Sequence, residues 1–123
     1  MLDHIAIQCA DVAAAARFYD AVLAPLGAAR VMSPAPDIIG YGVAGLPCFW
    51  LGPSTGQGVA REAHLAFHAA DRASVTAFAR AAVAQGAPVL HAPREWPQYH
   101  PGYYAAFVRD PDGNNVEAVT HTG

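Results

Sequence analysis

Two histidines and one glutamate stand in short apolar segments whose residue pattern predicts β-strands. His4 begins H-I-A-I-Q, His64 begins H-L-A-F-H, and Glu117 lies in N-V-E-A-V. Alternation of apolar and polar residues places both histidines opposite the aliphatic side chains, whereas it leaves Glu117 on either face. Imidazole and carboxylate groups bind Zn, Fe, Mn, Ni and Co ions. These three residues are therefore candidate ligands of one divalent metal ion.

An internal repeat relates the two histidines. The segment H-I-A-I-Q-C-A-D at 4–11 matches H-L-A-F-H-A-A-D at 64–71, and Phe18 and Phe78 continue the match at the same offset of 60 residues. A lone histidine in a strand is more often a structural residue than a ligand. Duplication puts these two at equivalent places, which favours a shared role.

Each copy of the repeat predicts the same order of elements. An aspartate, Asp11 or Asp71, follows the first strand as a helix N-cap, and an apolar stripe at helical spacing comes next. Glycine and proline end each helix, and short apolar runs follow at 29–32, 38–43 and 48–51 and at 88–90, 103–109 and 115–120. Two βαβββ modules are therefore predicted in one domain, at about 1–52 and 62–123, with a glycine-rich linker at about 53–61.

Composition argues against several classes of protein. The chain has 123 residues, of which 54% are hydrophobic and 14% are charged, as is typical of one compact domain. The net charge of −3 and the dispersed arginines provide no basic surface for nucleic acid. No segment has the pattern of a signal peptide or membrane span, which predicts a cytoplasmic protein with no membrane partner. Cys9 and Cys48 are too few for a disulfide framework, so two reduced, buried thiols are expected.

The sequence resembles the vicinal oxygen chelate superfamily, which includes glyoxalase I, bleomycin-resistance proteins, extradiol dioxygenases and fosfomycin-resistance thiol transferases. The resemblance covers essentially the whole chain and rests on H-I-A-I, on H-L-A-F followed by A-A-D, and above all on Y-H-P-G-Y-Y-A-A-F-V-R-D-P-D-G-N-N-V-E-A-V. It implies an α+β fold in which two βαβββ modules form a curved mixed sheet that encloses a cup, with the helices on the outer face. It also implies a homodimer and a small-molecule substrate that chelates a metal ion through adjacent oxygens. The resemblance further implies that one divalent metal ion is bound by His4, His64 and Glu117 and acts as a Lewis acid toward the substrate.

One departure from the family pattern concerns the metal ligands. Glyoxalase I has a glutamate on the last strand of its first module, whereas the counterpart of Glu117 in the repeat here is Trp50. Indole cannot replace a carboxylate as a ligand, so three protein ligands are expected, with positions left for water and substrate. Lyase, isomerase, oxygenase and thiol-addition chemistry stay open. The alternative is a metal-free protein that binds an aromatic or cationic small molecule, as bleomycin-resistance proteins do.

A segment rich in rings and proline, from His91 to Tyr104, is predicted to be a loop that covers the cup. Arg94 is a candidate for binding an anionic group, and His100 is a candidate acid or base. The candidate substrate-binding residues are Trp50, Arg94, Tyr99, His100, Tyr103 and Tyr104. Equally, the segment can form a dimer contact or a packed surface loop, and Trp50 can belong to the core. The remaining histidines are expected to be structural or exposed: His68, His91 and His121.

Overall fold

The computed structural model describes residues 1–59 and 61–122, which contain eight strands and two α-helices. The first module consists of β1 (Ile5–Cys9), α1 (Val12–Leu23), a 3-10 turn (Ala24–Leu26), β2 (Ala29–Ala35), β3 (Ile38–Val43) and β4 (Leu46–Pro53). The second module consists of β5 (His64–His68), α2 (Arg72–Ala84), β6 (Val89–Glu95), β7 (Tyr104–Arg109) and β8 (Asn115–Thr120).

The strands form two mixed sheets of four strands each, in the orders β1-β4-β3-β2 and β5-β8-β7-β6. In each sheet the first strand of the module runs parallel to the last, and the other neighbours are antiparallel. The α+β class and the two βαβββ modules are therefore confirmed. Among the described residues, no strand of one sheet pairs with a strand of the other, and neither sheet closes into a barrel.

The helices begin at the predicted caps. The Asp11 carboxylate accepts a hydrogen bond from the Ala14 backbone N–H at 3.0 Å, and Asp71 accepts from the Ser74 backbone N–H at 2.8 Å. This bond, together with one from the Ser74 hydroxyl, lowers the pKa of Asp71. Gly27 ends the 3-10 turn after α1 with a φ of 82°, a left-handed conformation that glycine adopts without strain.

One hydrophobic core extends across both modules. α1 packs against α2, and the helix-facing side chains of both sheets join the same buried cluster. Tyr19 of α1 makes edge-to-face contacts with Phe49 of β4 and Phe67 of β5, at ring-centroid distances of 4.9 and 6.5 Å. Because the core occupies the helix-facing side of each sheet, the opposite side is left uncovered by helices.

The D-P-D-G-N turn between β7 and β8 ties the second module to the first. Asp110 is 4% exposed and accepts a hydrogen bond of 2.6 Å from the Tyr19 hydroxyl. It also accepts bonds of 2.9 Å from the backbone N–H and the side-chain amide of Asn114. Asp112 accepts from the Ala10 backbone N–H at 2.9 Å. Burial, and then the charge and hydrogen bond of Asp110, raise the pKa of Tyr19, so its phenol remains a donor.

Three strands are longer than predicted, and one of the two cysteines is exposed although both were expected to be buried. β2, β4 and β6 run further, and β6 takes up the first part of the predicted loop 91–104, which leaves a loop only at 96–103. Cys9 is buried, and burial raises its pKa to about 12, whereas Cys48 is exposed because it alternates with the core residue Phe49. The prediction that Cys48 is buried was wrong.

The predicted linker 53–61 begins at the last residue of β4 and includes Ala60, which lies outside the described residues, so the module boundaries stay a prediction. No helix in residues 1–59 and 61–122 has the length and apolarity needed to span a membrane.

Candidate functional site

The side of the second sheet opposite α2 carries most of the candidate site. We call it the open face of the second module and define it by His64 and His68 of β5, Phe107 of β7, and Glu117 and Val119 of β8. The strand pairing sets this face, because Phe107 lies opposite Glu117, and Glu117 lies opposite Ala66, two residues beyond His64 and on the same face. Val116 and Ala118 point into the core, so Glu117 points to the open face beside His64.

Glu117 is held by two side chains. Its carboxylate is buried, with a side chain 3% exposed, and Oε2 lies 2.8 Å from His64 Nε2. The Tyr103 hydroxyl donates a hydrogen bond to Oε1. Burial, and then the bond to Glu117 and its charge, raise the pKa of Tyr103, so the phenol stays protonated. The His64 imidazole is half-exposed and meets the Phe107 ring edge-on.

His64 and Glu117 lie at the spacing of two ligands on one metal ion. Two ligands at right angles, each about 2.1 Å from the ion, are about 3 Å apart. His4 is not with them in the same chain: it precedes β1 in the first module and pairs with Asp3 at 2.7 Å. In residues 1–59 and 61–122, no three His, Cys, Asp or Glu side chains are grouped so that they could hold one ion. One chain therefore brings together two of the three predicted ligands.

His4 lies on the corresponding side of the first sheet. We call it the open face of the first module and define it by His4, Ala6, Gln8, Trp50 and Gly52, which line a cleft of about 350 Å³ with Ile38. Trp50 pairs with Ala6 as Glu117 pairs with Ala66. The indole is therefore the structural counterpart of the carboxylate, as the repeat predicted.

Gly40 allows the Trp50 indole to lie flat on the sheet. The two residues pair across β3 and β4, and a Cβ built on Gly40 would come within 2.8 Å of the indole ring atoms. A side chain at Gly40 is therefore incompatible with the present ring position. The result is a flat, partly exposed apolar wall beside His4.

Replacement of Gly40 by alanine is expected to displace the Trp50 ring and change its fluorescence emission. Gly52→Ala is the matched control, because it lies on the same face and its Cβ would meet Ile38 at an ordinary 3.4 Å. The only other tryptophan, Trp96, is buried and gives a constant background. Equal emission from Gly40→Ala and the unmodified protein would contradict the assigned ring position.

Loop 96–103 closes one end of the open face of the second module. Trp96 is buried, and its indole N–H donates to the Ala105 carbonyl at 3.2 Å. Tyr99 stacks on Trp96 at a centroid distance of 5.8 Å. The Arg94 guanidinium lies 3.4 Å from the centroid of a Trp96 ring and remains exposed, so it can also meet an anionic group.

The other predicted site residues divide between the two sides of the sheet. His100 lies at the exposed rim beside Tyr103, where its Nε2 is 2.8 Å from His121 Nδ1. Tyr104 is on the helix side, where it packs against the main core and lies 4.6 Å from the Arg72 guanidinium. The structure therefore brings Arg94, Tyr99, His100 and Tyr103 to the open face or its rim, and it does not bring Tyr104 there.

Sequence reasoning did not single out Asn115, which pairs with His64 on the open face. Its amide oxygen is buried and has no hydrogen-bond partner in the part of the chain that the structure describes. Only its spacing of two residues from Glu117 could have signalled it. The oxygen is available to a donor on a bound ligand.

Comparison with known proteins assigns the chain to a family. The family model for the glyoxalase-like domain matches residues 4–119. The chain belongs to the glyoxalase-like family. This glyoxalase-like chain is thus a member of the vicinal oxygen chelate superfamily, which confirms the resemblance.

Solved structures of other glyoxalase-like proteins share the fold. A glyoxalase/bleomycin resistance protein from Albidiferax ferrireducens T118 is 26% identical over 94% of each chain, with a TM-score of 0.76. Lactoylglutathione lyase from Agrobacterium tumefaciens is 25% identical over 94% of this chain and 90% of that chain, with a TM-score of 0.68. A glyoxalase/bleomycin resistance protein/dioxygenase family enzyme from Burkholderia phytofirmans PsJN, 23% identical over 96% of each chain with a TM-score of 0.73, shares the fold alone. None of the curated proteins matches the chain.

Proposed function

We propose that this glyoxalase-like protein is a metal-dependent enzyme that acts on a small substrate binding through oxygen atoms, with lyase, isomerase or oxygenase chemistry. The observation that carries the proposal is the buried Glu117 carboxylate, whose Oε2 lies 2.8 Å from His64 Nε2 on an open face. Nitrogen and oxygen donors at this spacing suit a divalent Zn, Fe, Mn, Ni or Co ion. The ion would act as a Lewis acid toward the substrate oxygens.

We further propose that a homodimer completes the site. Each chain has two open faces, one with His4 and Trp50 and one with His64 and Glu117. A two-fold axis that sets the first face of one copy against the second face of the other would create two equivalent cups. In each cup His4 of the partner subunit would be the third ligand. Its imidazole is more than half exposed in the single chain and thus accessible to a second copy.

The remaining residues would bind and enclose the substrate. The protein would act in the cytoplasm. Trp50 of one copy and Phe107 of the other would provide apolar walls that exclude water from the oxygen-binding groups. Arg94 would bind an anionic group, while Tyr99 at the edge of loop 96–103 would contact the substrate. His100 at the rim is the candidate acid or base.

Metal content tests the proposal. Protein purified without a polyhistidine tag and loaded with each candidate ion in turn is expected to hold about one ion per chain. His4→Ala, His64→Ala and Glu117→Ala should each lose that ion, because two remaining ligands bind weakly. His68→Ala is the matched control, since His68 shares strand and face with His64 and makes no hydrogen bond or ion pair with Glu117. Unaltered protein that binds none of these ions would refute the proposal.

A metal-free binding protein is the second candidate function, and the bonding of Glu117 favours it. Both carboxylate oxygens already have partners, His64 and Tyr103, so the buried charge is satisfied without an ion. The Trp50 wall over Gly40 suits a planar or cationic ligand. In that case a planar aromatic cation would bind equally well before and after treatment with a chelator, and Trp50→Ala would weaken its binding.

A further inference from the structure

On the basis of the metal site proposed above, we infer that Tyr103 is a positioning residue, which fixes Glu117 so that a single carboxylate oxygen, Oε2, is presented to the metal. The Tyr103 hydroxyl donates to Oε1, and Oε2 faces His64 Nε2. The Glu117 side chain is only 3% exposed, so these two side chains, rather than bulk water, determine the orientation of its carboxylate.

Loop 96–103 holds Tyr103 in place. Three rings surround its phenol, those of Tyr99, His100 and His121, at centroid distances of 5.0, 5.3 and 5.2 Å. Its carbonyl accepts a hydrogen bond of 2.9 Å from the Trp96 backbone N–H. Because β6 and β7 fix both ends of this short loop, the hydroxyl has a defined position over Oε1.

Metal binding would exchange one bond of Glu117 and preserve the other. His64 Nε2 and Glu117 Oε2 would give up their mutual hydrogen bond when both become ligands. The Tyr103 bond to Oε1 does not involve either ligand atom and would remain. Glu117 would then bind through one oxygen, which leaves a coordination position that a two-oxygen carboxylate would fill.

Cobalt(II) titration followed by visible absorption tests the role of the hydroxyl. Removal of a group that orients a metal ligand commonly lowers metal affinity by about 10- to 100-fold. Tyr103→Phe is expected to show a loss of this size, because the Glu117 carboxylate is no longer held in its binding orientation. Its cobalt spectrum should also change, because Glu117 becomes free to bind through both oxygens. The matched control is Tyr104→Phe, at the adjacent residue, whose ring lies on the helix side and whose hydroxyl makes no hydrogen bond to a described residue.

The control should keep its affinity within about 2-fold. All titrations are made at a temperature where circular dichroism shows each variant to be folded. Cobalt binding by Tyr103→Phe with unchanged affinity and spectrum would overturn the role of Tyr103 alone. Unaltered protein that binds no cobalt and no other candidate ion would overturn the proposed metal site, and the role of Tyr103 with it.

Discussion

Asp110→Ala is expected to lower the free energy of unfolding by about 3–5 kcal/mol. The substitution removes a buried carboxylate that accepts bonds from the Tyr19 hydroxyl and from both N–H groups of Asn114. Tyr19 is fully buried in the shared core, so its hydroxyl would lose its acceptor without gaining water. Each buried donor left unsatisfied costs about 1–3 kcal/mol.

Urea unfolding followed by circular dichroism measures this loss. Asp37→Ala is the matched control, because Asp37 lies in an exposed turn and makes no side-chain hydrogen bond to a described residue. Its effect should stay within about 0.5 kcal/mol. Tyr19→Phe should fall between the two, since it removes a single bond of the cluster. A cost below about 1 kcal/mol for Asp110→Ala would mean that the turn does not tie the modules together.

A heterodimer of His4→Ala and Glu117→Ala subunits is expected to regain about one metal ion per dimer, whereas neither homodimer should hold any. In an exchanged dimer each cup takes His4 from one chain and Glu117 from the other. One cup of the heterodimer then carries both substitutions, and the other carries neither. Two different tags, neither of them polyhistidine, allow the heterodimer to be purified after co-expression, and elemental analysis gives its metal content.

A second heterodimer provides the opposite expectation. When an unaltered subunit is paired with a His4→Ala/Glu117→Ala subunit, each cup carries one substitution and no ion should bind. If His4 and Glu117 of one chain met in the same site, this second heterodimer would hold an ion and the first would not. That reversed outcome would refute the shared cup while leaving the three ligands in place.

The fold was predictable because local signals in the two halves agree. These signals are the N-cap residues Asp11 and Asp71, the apolar stripes of the helices, and the Gly and Pro residues that end them. Each signal depends on residues close in the sequence, and each occurs in both modules. The positions of Trp50 and Glu117 follow from the same pattern, because equivalent strands pair in the same register in both sheets.

The site was less predictable because it depends on long-range pairing. Tyr103 and Tyr104 are adjacent and chemically identical, yet the first contacts Glu117 and the second packs on the helix side. The register of β7 in the sheet determines which of the two tyrosines faces Glu117. The pairing of β7 with β6 contains two register shifts, which the sequence does not reveal. Nor could the sequence show that the Asp110 acceptor serves Tyr19, which is 91 residues away. In the sequence, the D-P-D-G-N motif therefore supports the family resemblance but does not reveal the contact with Tyr19.

The Tyr19–Asp110 hydrogen bond also bears on how the duplicated halves depend on each other. Donor and acceptor lie in different modules and are both buried, so a fragment that ends before β5 would expose Tyr19 and the apolar side chains around it to water. A fragment that begins at β5 would keep an unshielded carboxylate where α1 had been. Neither module can bury this surface by itself. An ancestor of half this length would therefore have needed a second chain to cover it.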